Sequence, residues 1–347
     1  MHVKSYNELN VAHLNIRSLI PKLDEVSVLV NKHNIDILCL NETWLDHNTP
    51  TDSISIPGYC LHRTDRNRHG GGTAIYVRSN IKHEPVTDIE TQIPVESCWI
   101  SLKGKSNAII GTIYRPPNTD NNYLENIKDT IDTVINKCDN TIITGDFNID
   151  YKLNEDLHKN PIYIIQKLYD LDQLISEPTR VTSHSSTIID LFLTSMPNAH
   201  KTVKVIPITL SDHFMLYSTI QMKYVQLKHK EITFRDYKRF DTENFIEEIK
   251  SVFTNDTFTG INCVESIWSS FKLAFNKVCD KHAPIRTFRV KDRFNPWMDQ
   301  EILNLMYERD NLHSKARKTD DTNLWTQYRQ MRNKVTSMIR EAKKNFF

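Results

Sequence analysis

Short apolar runs bounded by Gly, Pro, Asn or Asp recur through the first 222 residues of this chain and then thin out. Val11 to Ile16, Ile35 to Leu40, Thr73 to Val77, Cys98 to Leu102, Ala108 to Tyr114, Thr141 to Thr144, Ile188 to Leu193 and Met215 to Met222 are mostly rich in Ile, Val, Thr and aromatics. Runs of this length between turn formers predict β-strands, because branched and aromatic side chains fit a pleated surface. Between them the spacing changes to threes and fours. Leu23, Val26, Leu29 and Val30 share a face, as do Leu124, Ile127, Ile131 and Ile135, and then Ile164, Ile165, Leu168 and Leu171. That period lines up one side of a helix. Strands outnumber helices and several connections are hairpin-short, so the pattern predicts an α/β (α+β) fold of packed mixed sheets with outer helices.

After about residue 223 the texture changes. Segment 223–240 is polar and basic and reads as a linker, and helical stretches follow near 241–254, 262–282, 297–317 and 320–346. In the last, Tyr328, Met331, Val335, Met338 and Ala342 form an apolar stripe, opposite Arg329, Arg332, Lys334, Arg340, Lys343 and Lys344. The expected organisation is a domain over 1–222, a linker over 223–240 and a basic helical segment over 241–347.

Charge sharpens that division. Residues 1–222 carry 20 Lys/Arg against 26 Asp/Glu, and residues 223–347 carry 24 against 17. An acidic unit joined to a basic one suits a metal site rich in carboxylates with a tail drawn to polyanions, RNA included. A solvated basic helix face accounts for the tail equally well. Hydrophobic residues at 39% and charged residues at 25% are ordinary for a globular protein. The apolar runs are too short to span a bilayer, and the first residues lack a secretory pattern. An intracellular protein without membrane attachment is therefore expected. Six scattered cysteines without a C-x-x-C pair, and histidines without zinc-site spacing, predict neither disulfides nor structural zinc.

The candidate chemistry sits at strand ends. Asn15 ends the first run, Glu42 follows Leu40 by two residues, Asp146 and Asn148 follow Thr144 after one glycine, and Asp212 and His213 precede the last strand. If these strands share a sandwich, such loops can meet at one edge. Phosphodiester hydrolysis needs a cation for the phosphate, a base for water and support for the leaving oxygen, and hard oxygen donors suit Mg²⁺. Taken singly, each residue has a plainer reading: Gly-Asp-x-Asn is a common turn, and His213 would serve as a core histidine. A Ser–His–Asp hydrolase is set aside, because Ser211, Asp212 and His213 are adjacent and no Gly-x-Ser-x-Gly elbow exists.

The blocks Leu14-Asn15-Ile16-Arg17-Ser18-Leu19, Asn41-Glu42-Thr43-Trp44, Ile113-Tyr114-Arg115-Pro116-Pro117, Gly145-Asp146-Phe147-Asn148, Ser186-Thr187-Ile188-Ile189-Asp190 and Ser211-Asp212-His213 occur in that order. Together they resemble the endonuclease/exonuclease/phosphatase superfamily, above all the endonuclease domain of non-LTR (LINE-type) retrotransposon polyproteins. The tail is similar, more weakly, to the segment that joins this domain to a reverse transcriptase. No Tyr/Phe-x-Asp-Asp motif is present, so 241–347 reads as a segment preceding an absent polymerase. The resemblance implies a DNase I-like four-layer sandwich and a Mg²⁺-dependent DNA endonuclease, Mn²⁺ substituting, with no small-molecule cofactor. It implies nicking of target DNA to leave a 3′-hydroxyl that primes reverse transcription, an activity expected in the nucleus. Abasic-site endonucleases and phosphatases share the fold and stand as alternatives, as does an idle nucleic-acid-binding remnant.

By residue, the resemblance implies Glu42, Asn15 and Asp212 at the metal, and Asp146 and Asn148 at the attacking water. It implies His213 on the phosphate with Asp190 as its partner, and Tyr114 at the phosphate or leaving oxygen. Many relatives carry Asn where this chain has Pro117, which leaves Asn118 as a candidate DNA contact. Arg115 is another, with a salt-bridged structural role as its alternative. Arg66 and Arg68 lie in the loop Arg63 to Gly72, whose cations suit a DNA backbone or simple solvation.

Overall fold

The computed structural model describes residues 7–347 apart from 90–94, 105–106, 153–156, 183–184, 227–230, 239, 255–256, 260–262, 290–294 and 320. The apolar runs become strands. In chain order these are β1 (Glu8–Asn15), β2 (Ile37–Asn41), β3 (Tyr59–Thr64), β4 (Thr73–Arg78), β5 (His83–Pro85), β6 (Glu96–Leu102), β7 (Ala108–Tyr114) and β8 (Thr141–Asp146). They continue with β9 (Asp172–Gln173), β10 (Arg180–Val181), β11 (Ser186–Thr187), β12 (Asp190–Thr194), β13 (His200–Ile206) and β14 (Met215–Gln221). Helices α1 (Leu23–Lys32), α2 (Asn121–Lys137) and α3 (Pro161–Leu168) lie between them. One six-stranded sheet has the order β13-β14-β1-β2-β4-β3 and the other β5-β6-β7-β8-β12-β9, so the chain forms two mixed sheets flanked by helices.

Each sheet is built around one parallel pair. β1 and β2 are joined through α1, and β7 and β8 through α2. A parallel pair sends both carboxyl ends to the same edge, which is where such sheets place their sites. Alternation along the strands decides the rest. Leu9, Val11, Ile37 and Cys39 face the second sheet in one core, while Ala12, Leu14, Leu38 and Leu40 pack with Val26, Leu29 and Val30 of α1 in another. Asp120 caps α2 by accepting the Tyr123 N–H (3.1 Å), and Asn160 caps α3 through the Ile162 N–H (3.0 Å). Of the face expected for α3, Ile165 and the following Leu171 are buried, but Ile164 and Leu168 are exposed and Ile162 takes their place against the core.

The C-terminal part divides differently from the pattern of the sequence. That pattern predicts a break after 222 and one helical segment over 241–347. The structure forms one unit from residues 1–227 with 293–347, and a second from residues 228–292. In the second unit β15 (Glu231–Arg235), inside the expected linker, pairs antiparallel with β16 (Ile285–Arg289), beside α4 (Thr242–Val252) and α5 (Val264–His282). Phe253, the residue after α4, meets Phe271 of α5 with ring centroids 5.0 Å apart. In the first unit α6 (Gln300–Thr319) and α7 (Thr322–Phe346) form a hairpin that buries Ile302, Leu305, Val335 and Ile339 with Val28 of α1. Arg309 of α6 is 3% exposed and donates to Glu25 of α1 (2.5 Å) and to Asp310 (2.8 Å). A buried guanidinium without those carboxylates would be strongly disfavoured, so the pair fixes where the hairpin docks. Among the described residues no helix is long and apolar enough to cross a membrane.

Candidate active site

Inward positions of the strands turn from apolar to polar as they approach the carboxyl edge. The register sets Tyr114 opposite Asp146 and Asp146 opposite Asp190, so three candidate side chains stand in one row of the second sheet. The first sheet answers with Asn15 opposite Asn41. Gly145 makes this approach possible, because a Cβ there would meet the Ile113 carbonyl oxygen at 2.0 Å.

Asn15 joins the two sheets. Its Nδ2 donates to Glu42 Oε1 (2.9 Å) and to Asp146 Oδ2 (2.8 Å). Glu42 is fixed further by the Tyr114 hydroxyl (3.3 Å) and the Trp44 indole N–H (3.1 Å). Asn41 Oδ1 accepts the Asp146 backbone N–H (2.8 Å), while Asp146 Oδ1 accepts that of Asn148 (2.9 Å). The Asn148 side chain donates to the Arg115 carbonyl (2.8 Å). Backbone strain concentrates here: Arg17 (φ 45), Ser18 (φ 79), Glu42 (φ 51), Trp44 (φ 55) and Asn148 (φ 49) are all left-handed without being glycine. Such conformations persist only where surrounding contacts hold them, and they cluster at functional sites.

His213 completes the row. Its Nδ1 donates to Asp190 Oδ2 (2.8 Å), and its Nε2 lies 4.0 Å from Asp146 Oδ2. Burial alone would drive the ring towards neutrality, but Asp190, followed by Asp146 and Asp212, outweighs it and lifts His213 to about 9. Burial also opposes charge on Asp190, yet His213 and His13 hold its carboxyl well below the usual range. For Asp146, burial and then the Asp190 charge push the carboxyl up to about 7. An imidazolium thus faces a carboxylate poised near neutrality.

Not every expected residue stands in this cluster. Asp212, part-buried, is held by Arg180 Nε (2.9 Å) and Arg17 Nη1 (3.3 Å). Arg115 is 8% exposed and donates to the Thr119 (2.8 Å) and Phe147 (3.4 Å) carbonyls. Its guanidinium thus braces the Asp146 loop through backbone carbonyls rather than through a salt bridge. Arg66 pairs with Glu96 (2.6 Å) and lies 5.8 Å from the Tyr114 ring centre; Arg68 pairs with Asp46 (2.9 Å). Asn118 sits exposed in a turn with φ 63. Residues that sequence reading leaves unassigned prove central: His13 beside Asp190 (3.4 Å), Asn41, Trp44 and Arg180. His13 carried a signal as a polar residue on the inward face of an apolar strand, and Asn41 and Trp44 carried one as members of the Asn41-Glu42-Thr43-Trp44 block.

Residues 9–213 match the model of the Endonuclease/Exonuclease/phosphatase family. The chain belongs to this family. The matched segment ends at His213 and so takes in the whole row of candidate residues, but neither α6 nor α7. Residues 298–347 match a separate model, the Female sterile protein K10 C-terminal domain. Over 112 residues the chain is 25% identical to the RNA-directed DNA polymerase from mobile element jockey of Drosophila melanogaster, a stretch covering 31% of this chain and 12% of that protein. Among solved structures, it is similar to the endonuclease domain of TRAS1, a telomere-specific non-LTR retrotransposon (TM-score 0.51, 16% identity, 62% of this chain, 99% of that one). It is also similar to the AP endonuclease LMAP from Leishmania major (TM-score 0.52, 12% identity, 62% of this chain, 88% of that one). At these identities the likeness shows the fold.

Membership of the family implies a divalent metal ion, and the donors fit one. Two carboxylates, Glu42 and Asp146, converge on a single neutral amide nitrogen, which leaves negative charge for a cation to balance. Asp146, Asp190 and His213 also offer ligand atoms within 4.8 Å of one another. There, however, Asp190 and His213 already bond each other, and a metal would have to break that pair. The Glu42–Asn15–Asp146 side is the better seat.

Proposed function

We propose that this chain is a Mg²⁺-dependent DNA endonuclease, with Mn²⁺ as a substitute, that nicks target DNA and leaves a 3′-hydroxyl for priming reverse transcription. The carrying observation is the His213–Asp190 pair facing Asp146 across 4.0 Å, beside Glu42 and Asn15. The likeness to the TRAS1 endonuclease domain and the local match to the jockey polymerase support the retroelement setting.

A bound metal, which Glu42 and the neighbouring Asn15 would hold, would supply positive charge to the phosphate and the leaving oxygen. Asp146 orients a water and takes its proton as the water oxygen bonds to phosphorus. The P–O3′ bond breaks, and the departing oxygen takes a proton from solvent to become the 3′-hydroxyl. His213, as imidazolium, balances charge on the non-bridging oxygens, and Asp190 keeps it protonated and aimed. The Asn148 carboxamide oxygen is left to accept from the water, since its nitrogen is engaged by Arg115. Tyr114 holds Glu42 in place at the phosphate edge. Asp212 serves by positioning Arg17 and Arg180 at the rim.

Supercoiled plasmid, incubated with Mg²⁺ or EDTA, tests this directly. Nicking is expected only with metal and falls about 100-fold or more in Glu42→Ala and His213→Ala. Equal nicking by both variants would sink the assignment. An abasic-site duplex cut in preference to plasmid would transfer it to repair, a reading kept open by the LMAP likeness. Metal-independent DNA retention without nicking would point to an idle remnant, and RNA retention by the tail alone would assign RNA to those helices.

A further inference from the structure

A groove of about 900 Å³ leads from the rim of the site to the C-terminal hairpin. Arg17, Lys22 and Trp44 line its near end, and Arg317, Trp325 and Arg332 of α6 and α7 line its far end. The two ends are physically continuous. The Arg317 guanidinium lies 4.2 Å from the ring centre of Phe214, the residue after His213. Both carboxylates in the lining are already paired, Glu25 with Arg309 (2.5 Å) and Asp212 with Arg17 (3.3 Å) and Arg180 (2.9 Å). Among the described residues, neither Arg317 nor Arg332 has a carboxylate within ion-pair reach. The groove is therefore left with an excess of positive charge. Trp325 is half-buried in its wall beside His313 and Tyr328, with ring centroids 5.7 and 5.9 Å away.

Cations spaced along a groove release counterions when a phosphate backbone enters it. An aromatic face in the same wall adds stacking that any unpaired base can use. We infer that the α6–α7 hairpin is a second wall of the substrate groove and binds single-stranded DNA flanking the scissile bond. Arg317 and Arg332 take its phosphates, and Trp325 takes a base. This rests on the reading of DNA as substrate, and it assigns a substrate-binding task to a segment outside the family match.

The test uses the full chain in EDTA, so that no strand is cut, with a fluorescein-labelled DNA hairpin carrying an unpaired flank. A flush duplex is the comparison. At ~0.15 M salt the double variant Arg317→Ala/Arg332→Ala should bind the flanked hairpin about tenfold more weakly, with its log–log salt slope reduced by about 1.4, as two single-strand phosphate contacts require. Trp325→Ala should lose on the order of tenfold on the flanked hairpin and little on the flush duplex. Trp325→Leu gives the same readout should the alanine variant fail to fold. Lys334→Ala/Arg340→Ala removes equal charge outside the groove and should keep the preference for the flank. Wild-type affinity in the folded groove variants overturns the inference, while plasmid nicking by the wild type would leave the proposed activity standing. Absence of nicking with groove-dependent affinity has the opposite meaning. An RNA flank bound more tightly than the DNA flank would overturn the assignment to DNA.

Discussion

His213 shows how one side chain acquires its chemistry from its neighbours. A histidine ordinarily changes charge near pH 6.5, and burial should make it neutral still earlier. The Asp190 carboxylate at 2.8 Å reverses that and lifts it to about 9. In Asp190→Asn, the metal-free His213 ring should titrate well below 9, towards its ordinary value, when followed by NMR. Nicking should fall about 100-fold, and the deficit should widen as pH rises from 6 to 8, because the variant loses its proton in that range. An unchanged titration would remove Asp190 from its positioning role. The register that pairs Asp190 with Asp146 was not legible in the linear sequence; only the two strand runs were.

At the scale of elements, the hairpin of α6 and α7 depends on one buried charge. Arg309 has 4% of its side chain exposed and its Glu25 partner 12%, so little solvent screens the pair. Arg309→Ala leaves Glu25 without its partner and should cost on the order of 3 kcal/mol by urea unfolding. Replacing Glu25 and Arg309 together with leucine should cost less than the single change, giving a coupling in a double-mutant cycle. Additive losses would show that the pair does not hold the hairpin. The helices themselves were legible, since the step of three and four from Tyr328 to Ala342 predicts α7 and its apolar stripe. What that stripe packs against was not, because an amphipathic face states only that it needs a partner.

For the whole molecule, stability should depend on pH from both sides. Burial lowers His200 to about 4, and burial and then Arg317 lower His313 to about 4. Each is neutral when folded but takes a proton at ordinary values when unfolded. Their contribution is present above about pH 6.5 and is lost as pH falls towards 4. His213 has the opposite sign: its contribution is present below its ordinary value and is lost as pH rises through about 9. Urea midpoints should therefore peak between these limits, and His200→Gln should flatten the acid limb. An acid limb as steep in that variant as in the wild type would assign the loss to other groups.

The sequence by itself determined eight of the strands, most of the helices and the ordered polar blocks, because periodicity and turn residues are local properties of the chain, whereas strands such as β3, β13, β15 and β16 escaped it. It also placed Asn15, Glu42, Tyr114, Asp146 and His213 near strand ends. Tertiary structure alone decided which of these meet. Two parallel pairs bring their carboxyl edges together, Arg17 and Arg180 draw Asp212 aside, and Arg115 turns inward to backbone carbonyls. Long-range register and the competition among charges for partners arise only between segments far apart in the chain, so no local pattern records them.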